Sequence, residues 1–340
     1  MPSSDRSLRA RLPSLVERFA PCRLADLPTP VTAEPALADA WGLAHLDVKR
    51  DDVASPIYGG SKVRALEWLL GAAQHAGRDG VVTLGPYGSH HALTTALFAE
   101  RVGLRCRLVL FPQPAGDEIA TLDAALGDRD VDIRRVRWTA GVPWAWWRAR
   151  TTALGRQRPF VVPAGATSAL GILGAAEGAM EVASAVAAGD LAKPDVVLVP
   201  VGSCGTMAGL LLGFGLSDLR VTLVGVRVTP WPVARQGRVR RLVRRAYRLL
   251  RAAGEIRPLR ALPLEWVGDL VGRGYAHPTP DGSAVVDQVA RITDFRAEGT
   301  YTAKTLAHAA RGGLARRRVL FWNTYSGHDP TVSEAAPLFE

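Results

Sequence analysis

Asp195-Val196-Val197-Leu198-Val199-Pro200-Val201-Gly202-Ser203-Cys204-Gly205-Thr206 opens an uncharged stretch, residues 196–216, that is long enough to cross a bilayer. Pro200, Gly202 and Gly205 argue against one continuous helix. They divide the stretch into a strand, a loop and a helix, the repeating unit of a buried α/β core. The same pattern continues in both directions. Apolar runs at 46–49, 80–84, 105–111, 132–136, 160–162, 195–201, 221–226 and 319–322 read as strands. Helical patterns at 63–76, 91–102, 170–188 and 206–215 lie between them. Such alternation predicts an α/β protein of two lobes, with mostly parallel sheets flanked by helices. Ligands then bind beyond the carboxyl ends of the strands.

Composition narrows the class. A chain of 340 residues suggests two domains, and 48% hydrophobic with 22% charged residues describes an ordinary globular protein. Cys22, Cys106 and Cys204 lie far apart, so neither a disulfide framework nor a metal site is expected. Residues 1–22 hold no apolar core of a signal peptide, and a cytoplasmic setting is expected. The net charge is +10. Much of it sits in residues 235–251, which carry eight arginines with Val239, Leu242, Val243, Ala246, Leu249 and Leu250 at helical spacing. This amphipathic helix reads first as a solvated face, so neither nucleic acid nor membrane is expected as a partner.

Several strand-to-helix loops carry polar residues suited to chemistry. Tyr58-Gly59-Gly60-Ser61-Lys62 places a lysine in the first turn of a helix, with Ser61 as its N-cap. Lysine is scarce: of 42 Lys+Arg, only Lys49, Lys62, Lys193 and Lys304 are lysines. Arginine serves solubility equally well but cannot become a neutral nucleophile, whereas a desolvated lysine can. The loop alone is equally compatible with a surface lysine that opens a helix. Gly85-Pro86-Tyr87-Gly88-Ser89-His90-His91 offers a helix N-terminus to a carboxylate, or only a serine cap. Gly202-Ser203-Cys204-Gly205-Thr206 suits a phosphate held by neutral donors and a helix dipole, and it is neither a Walker loop nor a Rossmann fingerprint. Cys204 reads as a small spacer there. Tyr275 and residues 299–304 sit in loop-like settings. Trp144, Trp146 and Trp147 form a local cluster that reads as packing or a pocket wall.

Taken together, these stretches resemble the pyridoxal-phosphate-dependent D-cysteine desulfhydrase and 1-aminocyclopropane-1-carboxylate deaminase family, of the tryptophan-synthase-β-like fold type II. The likeness runs from Leu24-Ala25-Asp26-Leu27-Pro28-Thr29-Pro30 to about Thr324. It includes Lys49-Arg50-Asp51-Asp52 and Gly59-Gly60-Ser61-Lys62-Val63-Arg64-Ala65-Leu66-Glu67, where the family has Gly-Gly-Asn-Lys-Thr-Arg-x-Leu-Glu. The resemblance implies pyridoxal 5'-phosphate as cofactor, with Lys62 forming the Schiff base. Ser89 then acts near the substrate's α-carbon and carboxylate, with His90 and His91 beside it. His90 stands where the family's asparagine supports the cofactor's ring hydroxyl. Gly202, Ser203, Cys204, Gly205 and Thr206 hold the phosphate, Thr302 contacts the pyridine nitrogen, and Tyr275 and Tyr301 are active-site tyrosines.

At position 302 the family's deaminases place glutamate and its desulfhydrases threonine, so Thr302 favours the lyase branch. The implied activity is β-elimination on a small amino acid, D-cysteine-like, releasing keto acid and ammonia. The alternatives are a deaminase, racemase or β-replacement enzyme on an unusual amino acid and, in another class, a non-catalytic basic binder acting through residues 235–251. Family analogy also implies a small domain at 62–165 inserted into a large cofactor-binding domain of 1–61 and 166–340, and a homodimer. The chain departs from the pattern at Ser61 and His90, both asparagine in the family, at Thr300, and at Asn323-Thr324-Tyr325-Ser326-Gly327. These changes line the substrate side as much as the cofactor side.

Overall fold

Residue parity organises the molecule. In a computed structural model that describes residues 7–113, 117–127, 129–231 and 233–328, ten strands form two sheets. They are β1 (Val31–Ala33), β2 (His45–Arg50), β3 (Gly80–Pro86), β4 (Arg105–Phe111), β5 (Val131–Arg135), β6 (Phe160–Val161), β7 (Val196–Val201), β8 (Thr222–Arg227), β9 (Leu264–Val267) and β10 (Arg318–Asn323). The larger sheet has the order β1-β2-β10-β7-β8-β9, and the smaller has the order β5-β4-β3-β6. Only β1 runs antiparallel to its neighbour. On β7, Val197, Val199 and Val201 enter one apolar cluster while Val196 and Leu198 enter another. β10 repeats this, with Leu320 and Trp322 on one side and Val319 and Phe321 on the other. A strand buried on both faces needs no polar alternation, which is why these segments read as continuous apolar runs.

All eight strands read from the sequence are present. β1 and β9, both short edge strands, escape the sequence pattern. The uncharged stretch at 196–216 becomes β7 and the helix Gly205–Leu216, and among the described residues no helix is long and apolar enough to cross a membrane. That helix packs closely on Ile172–Ala188. A side chain at Gly209 would come within 2.5 Å of Ala175 Cβ, and one at Gly213 within 2.2 Å of Ala176 O. The arginine run forms the helix Gln236–Ala252, with Val239, Leu242, Val243, Ala246 and Leu250 buried and Arg240, Arg241, Arg244, Arg245 and Arg248 exposed. The tryptophan cluster divides. Trp146 packs on Val82, Val109 and Ala149, whereas Trp144 and Trp147 are exposed.

A buried ionic knot holds the larger sheet to the helix Lys62–His75. Arg64 and Asp51, both fully buried, pair at 2.9 Å. The other oxygen of Asp51 accepts a hydrogen bond from Trp322 Nε1 at 2.8 Å, and its backbone carbonyl accepts from Gly60 N at 2.7 Å. Arg64 also reaches Glu181, which Lys49 contacts at 2.8 Å. Burial alone would raise the Glu181 carboxyl, but Arg64 and Lys49 outweigh it and hold the group down at about 2. Removing one partner leaves a buried charge uncompensated. Asp51→Ala should therefore lower the unfolding free energy by about 3–5 kcal/mol in a denaturant titration. A loss under ~1 kcal/mol, the worth of a surface pair, would mean that Glu181 alone satisfies Arg64.

Candidate active site

The carboxyl ends of both sheets converge on one cavity of about 430 Å³. Residues beyond β2, β3, β4, β6, β7, β8 and β10 all contribute to its lining, so it depends on both sheets at once. Its position follows the rule that ligands in parallel α/β folds meet loops and helix N-termini at that edge.

Lys62 enters from the β2 side, as the first residue of its helix. The two glycines before it are demanded by space. A side chain on Gly59 would lie 1.7 Å from Asp52 O, and Gly60 adopts φ +97° with Thr324 O within 3.0 Å of where its Cβ would stand. Ser61 does not cap the helix. It is itself helical, and its hydroxyl accepts a hydrogen bond from Thr206 Oγ1 at 3.4 Å, which joins the two loops. Burial lowers the Lys62 ammonium from its usual 10.5 to about 8. A neutral amine is therefore accessible near physiological pH.

Ser89, His90 and His91 arrive at the end of β3. Ser89 is the N-cap of His90–Arg101, and its Oγ accepts from Ala92 N at 3.3 Å. The amides of His90 and His91 fall in the first turn, where no intrahelical acceptor exists. His91 Nε2 meets Thr83 Oγ1 at 2.8 Å. Burial, and then the Lys62 charge, push His91 down to about 3, so it stays neutral. Its Nδ1 is buried without a hydrogen-bond partner among the described residues. His90 Nδ1 lies 2.5 Å from the hydroxyl of Tyr58, a buried residue.

Gly202, Ser203, Cys204, Gly205 and Thr206 line the opposite wall. Cys204 occupies the N-cap of Gly205–Leu216 in the left-handed region at φ 73°. Its buried thiol faces Val233 O at 3.6 Å, and burial raises its pKa, so it is a spacer and no nucleophile. Thr167 Oγ1 donates to Ser203 Oγ at 2.7 Å. The wall therefore combines hydroxyls and a helix N-terminus; no arginine is among the described residues that line it, and Arg235 and Arg238 act on Cys204 from beyond it. Tyr301 packs against Gly202, where a side chain would come within 2.7 Å of its ring. Its hydroxyl donates to Tyr275 at 3.0 Å, and burial followed by that neighbour raises its pKa well above 10, so it remains a phenol.

Residues 299–304 are not a loop throughout, because Thr302 begins the helix Thr302–Ala310. Thr302 is fully buried and stands behind the wall. Its hydroxyl accepts from Glu298 N at 2.7 Å, and the acidic group that lines the cavity is Glu298. The Glu298 carboxylate accepts from the amides of Thr300, Tyr301 and Thr302, at 2.6, 2.6 and 3.0 Å.

Residues 23–324 match the family described as pyridoxal-phosphate dependent enzyme. The chain belongs to that family. It is 31% identical over 310 residues to a protein named D-cysteine desulfhydrase from Salmonella choleraesuis, covering 88% of this chain and 90% of the relative. A crystal structure titled as an ACC deaminase homologue superposes with a TM-score of 0.78 at 28% identity, covering 94% of this chain and 95% of that one. Threonine deaminase isoform 2 from Solanum lycopersicum, at 16% identity and a TM-score of 0.61, shares the fold, covering 94% of this chain and 85% of its own. The fold is thus type II among pyridoxal-phosphate enzymes, and pyridoxal phosphate is the cofactor.

The residues present fit that cofactor. Its aldehyde requires an amine that loses its proton readily, which Lys62 supplies. Its phosphate requires donors at close range, which the Gly202–Thr206 wall offers. The buried Nδ1 of His91 remains for a ligand to satisfy. The sequence alone gave no sign of Glu298, of Tyr58 as a partner of His90, or of Val233. Tyr58 and Val233 work through contacts with segments about thirty residues away, whereas Glu298 is held by the amides of the helix start that follows it.

The lowered amine sets two expectations. Attachment of pyridoxal phosphate to the cofactor-free protein should accelerate as pH rises through about 8 and then level off. An inflection near 10.5 would mean that Lys62 is solvated. The folded value lies below the unfolded one, so the protonated amine weakens the fold below pH 8. Lys62→Met should accordingly raise the melting temperature of the cofactor-free protein at pH 7, with the gain fading between pH 8 and 10.5. Gly202→Ala should displace Tyr301 and weaken cofactor binding, read as an increased Kd by absorbance titration.

Proposed function

We propose that this enzyme is a lyase that carries out β-elimination on a small amino acid, in the manner of a D-cysteine desulfhydrase. The observation that carries the reading is the cavity's polarity. A desolvated lysine amine stands between a first-turn helix N-terminus at Ser89 and a cation-free cradle at Gly202–Thr206. When bound, pyridoxal phosphate supplies an electron sink for the substrate's α-carbon. The rest is work for the chain.

With the cofactor's aldehyde engaged by the substrate amine, the Lys62 Nζ would be free to accept the α-proton. The first-turn amides of His90 and His91, with Ser89, bind the carboxylate and fix the face from which that proton leaves. The Gly202–Thr206 amides and hydroxyls anchor the phosphate. Tyr301 keeps its phenolic proton and, with Tyr275, closes the wall that excludes water. Loss of the β-substituent and hydrolysis yield keto acid and ammonia. The names of the relatives, desulfhydrase and deaminase homologue, support an amino-acid substrate. Thr302 is engaged by the backbone of Glu298, so its identity gives the lyase branch less support than the sequence suggests.

A panel of D- and L-amino acids with thiol, hydroxyl and chloride β-substituents, assayed for keto acid and ammonia, tests the reading. At least one should turn over, and Lys62→Ala should lower its kcat/KM by roughly 10²–10⁴, the range for a lost proton-transfer group. Release of keto acid from none, with the cofactor bound, would reject the lyase. Replacement or racemisation products would assign the site to those reactions.

A further inference from the structure

The cavity holds a pair of proton-carrying groups that the steps above do not use. Tyr58, buried in the wall beside the Gly59–Gly60 turn, places its hydroxyl 2.5 Å from Nδ1 of His90. Both residues line the cavity that contains Lys62. The imidazole is held on two sides. The Tyr58 ring is nearly parallel to it, with centroids 6.2 Å apart at 19°, and the Tyr325 ring meets it edge-on at 5.1 Å and 76°. Tyr325 belongs to the loop beyond β10 and Tyr58 to the segment beyond β2, so the larger sheet holds a ring carried by the smaller one.

We infer that Tyr58 and His90 form a relay that protonates the departing β-substituent. In this relay the Tyr58 hydroxyl donates to Nδ1 and the ring's own proton resides on Nε2. A neutral imidazole in this state passes a proton through itself, giving up the one on Nε2 while taking the phenolic proton on Nδ1. The inference rests on the lyase reading.

The balance of the step is complete. The Cα–H proton passes to Lys62 Nζ, and its electron pair becomes the second bond between Cα and Cβ. The Cβ–X bond breaks and its pair leaves with X, which takes the Nε2 proton of His90 and departs as HX. The Tyr58 proton replaces it through Nδ1. The proton gained at Lys62 returns to Nε2, which sends the Nδ1 proton back to the tyrosinate, so both groups are reset and no external acid is consumed.

The neighbouring groups are committed elsewhere. His91 is tied to Thr83 at 2.8 Å, and its basicity is suppressed. Tyr301 directs its proton at Tyr275, with its ring on Gly202 at the phosphate wall. Ser89 caps its helix. His90 lines the same cavity as Ser89 and Lys62.

The deciding experiment compares leaving groups. Chloride departs without a proton, whereas a thiol or hydroxyl needs one. With His90→Asn and Tyr58→Phe loaded with pyridoxal phosphate, and an unchanged visible cofactor band as evidence of an intact site, kcat is measured on β-chloroalanine, cysteine and serine of both configurations. Each variant should lose at least about 100-fold more on the thiol or hydroxyl substrate than on the chloride. Equal losses on all three would overturn the relay and leave the pair a purely positioning role.

A second readout needs no turnover. Long-range ¹H–¹⁵N spectra of the histidine rings in the cofactor-free protein should show His90 with its proton on Nε2, and a mixture of tautomers in Tyr58→Phe. A proton on Nδ1 in the parent protein would overturn the relay. If the parent protein releases chloride from neither configuration, the lyase reading fails and the relay falls with it.

Discussion

The contact between Arg64 and Asp51 is the one on which the rest depends. Two full charges at zero exposure are tolerable only because each is surrounded by partners, which come from the β1–β2–β10 side of the larger sheet and from the helix Ile172–Ala188. Asp51 ends β2, Arg64 lies in the first turn of the helix that Lys62 opens, Trp322 lies on β10, and Thr29 precedes β1. The carbonyl of Asp51 also receives the amide of Gly60. The turn that aims Lys62 is thereby anchored to strand ends on both of its sides. Neither glycine could carry a side chain without collision, so the turn has no adjustable part. The amine's position follows from the ionic knot beneath it.

The catalytic wall opposite is built on a different principle. The helix Gly205–Leu216 meets Ile172–Ala188 through glycine and alanine, backbone nearly against backbone. Close packing of this kind is stiff, and it fixes the amides at the start of the helix without help from charged side chains. The cavity thus joins a lysine made reactive by removal from water to an anion cradle with no cation of its own. A fixed positive charge in the cradle would lower the lysine's proton affinity further, but it would also compete with the cofactor for the substrate's carboxylate.

Much of this was legible in the chain before its structure. Buried parallel strands announce themselves as unbroken apolar runs, and the strand–glycine–helix transitions mark the cavity edge. Lysine scarcity drew attention to Lys62. Edge strands β1 and β9 were not legible, because three or four half-buried residues carry too little periodicity. The role of Ser61 was misread because a serine before a helix usually caps it, whereas here the hydroxyl is drawn to Thr206. Thr302 and Glu298 show a deeper limit. Sequence pattern places Thr302 near the site and gives no sign of Glu298; only the fold reveals that the threonine is buried at the helix start while Glu298 lines the cavity. Pairings such as Tyr58 with His90 and Tyr325 join segments up to 267 residues apart, as Gly59 and Ser326 also do, and no local signal encodes them.

The preference for arginine has a consequence for the cofactor itself. Pyridoxal phosphate is an aldehyde and condenses with any accessible amine, so a lysine-rich surface would scatter it. In this protein Lys49 is buried between Thr29 and Glu181, and Lys304 is buried with its ammonium on the carbonyls of Val271 and Gly274. Lys193 is the exposed one. Among side-chain amines, the aldehyde therefore meets almost no decoys. A basic coat made of guanidinium gives the molecule its charge while remaining inert to the reagent that its interior must capture.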